Sequence, residues 1–154
     1  MPAIKLEKFD PSDFNRLISW VQNENELLQF AGPIFQFPLD QKQLTGYINR
    51  NDLDAFKVVD IDSQEVIGHC ELNYSQESPR ICRVIIGNSS YRGKGYGQAI
   101  IEALSAYAFK NPLVNEITLN VFAWNTAAVK CYEKCGFMKK SQTEDAMRMV
   151  KYRS

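Results

Sequence analysis

Net charge is what this sequence most plainly lacks: 18 lysines and arginines balance 18 aspartates and glutamates. Without excess positive charge the chain is not built as a general polyanion binder, so nucleic acid is not an expected partner. No apolar run reaches the roughly 20 residues of a membrane span, and Met1–Pro2–Ala3 opens no signal peptide, so no membrane is expected either. Histidine is represented only by His69. Of the four cysteines, Cys70, Cys82, Cys131 and Cys135, the last two stand one helical turn apart. No compact second ligand pair follows them, so no metal site is expected. Their neighbours are mostly apolar, which reads as reduced thiols in a cytoplasmic protein. Repeats, low-complexity segments and linkers are also missing, so the 154 residues are read as one domain, 1–154.

What is present is unevenly placed. Residues 1–80 carry 13 acidic and 7 basic side chains, a balance of −6; residues 81–154 carry 5 and 11, a balance of +6. Unless this is scatter over a solvated surface, the second half suits an anion and the first a cation.

The patterns predict a strand at Ile4–Phe9, then a helix started by Asp10-Pro-Ser-Asp13 with Phe14, Leu17, Ile18 and Val21 on its buried face. Further helices are expected at Glu24–Ala31 and from Asp40 to Tyr47 or Ile48. Strands follow at Ala55–Ile61, Glu65–Tyr74 and Ile81–Ile86. A helix over Gln98–Phe109, a strand at Glu116–Ala123, a helix at Asn125–Lys134 and strands at Gly136–Lys139 and Ala146–Tyr152 complete the order. Such an order predicts an α/β (α+β) fold with a mixed central sheet and helices on both faces.

Between the Ile81–Ile86 strand and the next helix lies Tyr-Arg-Gly-Lys-Gly-Tyr-Gly, residues 91–97. The dinucleotide pattern G-x-G-x-x-G fails here, because the third glycine falls on Gln98 or Ile100. The P-loop fails as well: Gly93–Lys94 lacks both the upstream glycine, at Asn88, and the following hydroxyl, at Gly95. Arg92-x-x-Gly95-x-Gly97 does fit a backbone that approaches a diphosphate through N–H groups at positive φ.

With this loop the sequence resembles the GNAT superfamily of acyl-CoA-dependent N-acetyltransferases, whose diphosphate loop reads R/Q-x-x-G-x-G/A. A second match begins 28 residues after Gly97, where Asn125, Ala128, Tyr132, Gly136 and Phe137 follow N-x-x-A-x-x-x-Y-x-x-x-G-F. The branch it looks closest to contains ribosomal-protein N-terminal and small-amine acetyltransferases. The resemblance implies a mostly antiparallel GNAT sheet and transfer of an acetyl group from acetyl-CoA to a primary amine by direct attack in a ternary complex. It implies CoA contacts from Val84, Ile85 and Ile86, from Arg92, Gly93, Lys94, Gly95, Tyr96, Gly97 and Gln98, and from Asn125 and Ala128.

Asn125 also reads as a helix cap, and Gly136–Phe137 as a helix stop and a core ring. Tyr132 is either a core tyrosine or, as the family implies, the general acid that protonates the leaving thiolate. Some relatives carry a glutamate base five positions before the matching asparagine; here Asn120 stands there and cannot take the proton. Glu71 is the substitute expected from the residues, beside an exposed strand carboxylate, an acceptor-ammonium ligand, or deprotonation through water. Trp20, Phe30, Phe35, Phe37 and Tyr74 are candidate walls for the acceptor, a small amine or a peptide N-terminus, with the protein a monomer or homodimer. A non-catalytic acyl-CoA sensor or interaction module would keep the loop and need neither Tyr132 nor a base.

Overall fold

Side chains at the helix starts supply the missing acceptors in the computed structural model, which describes residues 2–154. After β1 (Ile4–Lys8), the Asp10 carboxylate accepts from Ser12 N, and Asp13 in turn accepts from Asp10 N at 2.9 Å. This reciprocal cap opens a short 3-10 turn, Pro11–Asp13, which leads into α1 (Phe14–Trp20). Asn23 caps α2 (Glu24–Ala31) and Asp40 caps α3 (Gln41–Ile48), each accepting from the N–H three residues on. Strands β2 (Leu53–Asp60), β3 (Val66–Asn73) and β4 (Arg80–Ile86) follow. The chain closes with α4 (Tyr96–Phe109), β5 (Glu116–Phe122), α5 (Thr126–Lys134), β6 (Met138–Gln142) and β7 (Ala146–Tyr152).

Among the described residues the seven strands form one sheet in the order β1-β2-β3-β4-β5-β7-β6. Every neighbouring pair is antiparallel except β4 and β5. This is the mixed sheet that the element order implied, mostly antiparallel as the family resemblance implied. One buried cluster joins Ile100, Ile101, Leu104 and Ala108 of α4 to Val58, Cys70, Leu72, Ile81, Ile117 and Leu119 on the sheet. The other gathers Phe14, Leu17, Leu27, Phe30, Leu44 and Tyr47 from α1–α3 around Phe9 and Leu53.

Three expectations shift. The first predicted helix divides at Asp13 and ends at Trp20, with Val21 already extended. The helix expected from Gln98 begins at Tyr96, so Tyr96 and Gly97 belong to its first turn rather than to the loop. The strand expected from Gly136 begins at Met138: Gly136, at φ +95°, reverses the chain after α5, and Phe137 enters the core at 3% exposure. No helix among the described residues is long and apolar enough to cross a membrane.

Candidate active site

The glycine turn is assembled from both sides. Asn88 accepts from Ser90 N at 3.1 Å, shaping the turn that leaves β4, and Arg92 Nε donates to the Ile86 carbonyl at 3.0 Å. Gly93 (φ +74°) and Gly95 (φ +89°) adopt left-handed backbone, and Gly95 is the residue from which α4 starts. Among the described residues the N–H groups of 93–98 make no well-formed hydrogen bond, since the first helical bond is Ala99 N to Gly95 O. Six consecutive donors therefore gather at a helix N-terminus, where the axial dipole adds a positive field. Lys94 is exposed and has no carboxylate partner among the described residues. Tyr96 is engaged elsewhere, donating to Asp60 at 2.9 Å, and Gln98 lies 3.4 Å from Glu102.

Upstream of this turn the sheet opens. Among the described residues β4 and β5 pair only at Arg80↔Thr118 and Ile81↔Leu119, and beyond Ile81 β4 keeps β3 on one side with no strand on the other. Val84, Ile85 and Ile86 thus present an unpaired main-chain edge that runs toward the glycine turn. Val84 and Ile86 pack against the α4 cluster and Ile85 against the α1–α3 cluster. α5 closes the other side. Asn125 caps it by accepting from Ala128 N at 3.2 Å, and a Cβ at Gly97 would lie 3.9 Å from Cys131 Sγ. Tyr132 shares the α4 cluster with Val84, Ile86 and Ala128, its ring 6.4 Å from Phe137. Burial pushes its hydroxyl up to about 12.

Glu71 is not the exposed strand carboxylate weighed from the sequence. It is fully buried and accepts four hydrogen bonds: two from Arg83 (Nη2 to Oε2 at 2.6 Å, and Nε to Oε1), Tyr47 Oη at 2.6 Å and Asn73 Nδ2 at 3.1 Å. Burial alone would raise its pKa, but these donors outweigh it and hold the carboxyl below the usual range. Because Tyr47 gives its only hydroxyl proton to Glu71, the 3.1 Å contact with His69 Nε2 makes Tyr47 the acceptor and His69 the Nε2–H tautomer. Asn120 faces Arg148 Nε at 3.3 Å.

A family model described as the acetyltransferase (GNAT) domain matches residues 4–138. The chain belongs to the GNAT acetyltransferases. It is 38% identical over 53 residues to an aminoglycoside N(6')-acetyltransferase type 1 of Klebsiella pneumoniae, covering 34% of this chain and 26% of that protein. A kanamycin resistance protein of Rhizobium radiobacter is 38% identical over 52 residues, 34% of this chain and 48% of that one. The alignments therefore span only about a quarter to a half of these curated relatives. Whole-chain likeness appears in structure. The spermidine N-acetyltransferase from Vibrio cholerae, in complex with CoA and spermine, superposes with TM-score 0.78 at 23% identity, covering 97% of this chain and 95% of that one. Aminoglycoside acetyltransferase AAC(6')-Ib in complex with coenzyme A gives 0.80 at 22%, over 98% and 95%. At these identities the likeness establishes the GNAT fold.

The aromatic residues expected from the sequence as acceptor walls divide. Phe35 and Phe37 share a groove of about 380 Å³ with Glu24, Leu27 and Leu28, and Phe35 joins Tyr47 and Arg50 at a second of about 240 Å³. Phe30 is buried against His69, and Tyr74 donates to Asp54. Trp20 lies over Gly87, where an added Cβ would fall 1.8 Å from the indole. Sequence reasoning missed Arg83, Tyr47 and Gly87. An arginine in a β-branched run carries no local mark of a bulge, and Gly87 was the one signal available, a glycine ending a strand.

Proposed function

We propose that this protein is an acetyl-CoA-dependent N-acetyltransferase that moves an acetyl group from the CoA thioester to a primary amine in a ternary complex. The observation that carries the reading is the free edge of β4 leading directly into six unpartnered N–H donors, with Tyr132 on the neighbouring helix. The N–H groups of residues 93–98 hold the diphosphate, with Arg92 and Lys94 adding positive charge nearby. Val84, Ile85 and Ile86 receive the pantetheine arm as an added strand, and a β4 N–H polarises the thioester carbonyl as the amine attacks. Asn125, the cap of α5, and Ala128 in its first turn contact the CoA arm. Tyr132, whose hydroxyl is protonated at neutral pH, gives its proton to the departing thiolate.

Glu71 is a poor base in this reading. Four donors occupy its oxygens and its pKa is lowered, so the amine loses its proton to water. The acceptor is taken up on the α2–α3 side, at the grooves lined by Phe35 and Phe37, and the acidic first half favours a cationic amine. The relatives named for aminoglycosides and spermidine are consistent with a cationic acceptor. Four free cysteines suit the cytoplasm, where the protein acts as a monomer or homodimer. A panel of polyamines, aminoglycosides, amino acids and peptides, followed by release of free CoA thiol, tests the proposal. Binding of acetyl-CoA without thiol release, even with amines shown to bind, would favour a non-catalytic acyl-CoA module, a reading that the missing free carboxylate at Asn120 keeps in play.

A further inference from the structure

One buried ion pair sits where the sheet divides. In the pairing of β3 with β4, His69 faces Ile85 and Glu71 faces Cys82, so Cys70 alone stands opposite both Arg83 and Val84. β4 therefore bulges by one residue at Arg83–Val84, just beyond its last pairing with β5 at Ile81 and at the start of the free edge Val84–Ile86. The bulge turns on Arg83, whose φ of +50° lies in the left-handed region that a side chain with a Cβ resists. Such a conformation persists when surrounding contacts over-determine it. Here the Arg83 guanidinium grips Glu71 with two hydrogen bonds, the side chains being 8% and 0% exposed. Asn73 and Tyr47 complete the carboxylate, so the grip reaches from β4 through β3 to α3.

We propose that Arg83 and Glu71 are positioning residues: their pair holds the β4 bulge and so aims the free-edge N–H groups at the thioester carbonyl. The inference rests on the acetyl-CoA reading of that edge. The diphosphate donors begin ten residues further on, so the pair governs turnover more than acetyl-CoA affinity. It also gives Glu71 a role without proton transfer.

Removing one partner would strand a buried charge, so the test compares two doubly neutral variants. Arg83→Ala/Glu71→Gln removes the clamp and keeps the cost of a positive φ; Arg83→Gly/Glu71→Gln removes both. The alanine pair is expected to lower kcat by about tenfold or more while the acetyl-CoA Kd, from calorimetry, stays within about threefold. The glycine pair recovers part of that loss. The acidic limb of the kcat profile stays in place in the glycine pair, which also lacks the Glu71 carboxylate. Wild-type kcat in the alanine pair, or a Kd that weakens in step with kcat, overturns the inference and leaves the acetyltransferase reading standing. Disappearance of the acidic limb in the glycine pair makes Glu71 the base and also overturns it. A wild-type protein that neither binds acetyl-CoA nor releases CoA removes both readings.

Discussion

Acidification should destabilise this protein through His69 before its carboxylates titrate. The imidazole is 1% exposed, with ring centroids of Phe9 at 4.6 Å and Phe30 at 5.6 Å. Burial drives its pKa down to about 4 from the usual 6.5, with Glu71 opposing the fall and Arg83 adding to it. The native state thus keeps His69 neutral to about pH 4, whereas the unfolded chain protonates it below about 6.5. Between those values the unfolded state binds more protons, so stability falls as pH falls. The fall from 6.5 to about 4 is worth about 3 kcal/mol. About 2 kcal/mol of that is lost between about pH 6.5 and 5. Carboxylates contribute lower down: Asp13 and Glu71 are both held below their ordinary values of 3.8 and 4.5, so their stabilisation is lost only as pH drops through those values. Urea unfolding of the wild type and of His69→Phe, followed by tryptophan fluorescence at about pH 7, 6 and 5, separates the two. The wild type should lose stability across this range and the phenylalanine variant should stay nearly level. Parallel decline in both proteins would refute the assignment to His69.

Other substitutions address the reaction and its scaffold. Tyr132→Phe is expected to lower kcat by about a hundredfold with acetyl-CoA affinity unchanged; equal rates when chemistry limits turnover would remove its acid role. Gly95→Ala places a Cβ at φ +89° and should weaken acetyl-CoA binding about tenfold in calorimetry, given a left-handed cost of roughly 1–2 kcal/mol. Gly87→Ala drives a Cβ into the Trp20 indole and should cost about 1–3 kcal/mol in urea unfolding, with Trp20→Ala in the same chain restoring part of it.

Local order was well represented in the sequence. Asp40 and Asn125 cap helices because a short acceptor side chain reaches the N–H three residues on, a relation confined to one turn. Ile100, Ile101, Leu104 and Ala108 are buried together because helical spacing puts them on one face. Arg92–Gly97 signalled its left-handed turns through its glycines. The reading of Glu71 as an available carboxylate rested on strand position alone. Its actual partners, Tyr47 and Arg83, lie 24 and 12 residues away along the chain.

The sequence by itself determined the order of elements, the donor-rich turn after β4 and the helix bearing Asn125 and Tyr132, because caps, glycines and apolar periods act over a few residues. Tertiary structure alone decided that β4 parts from β5 after Ile81 and that Arg83 bulges the strand to reach Glu71. It also decided that the carboxylate is saturated rather than free. Those outcomes depend on register between strands distant in sequence and on burial, which determines whether a carboxylate meets water or four donors.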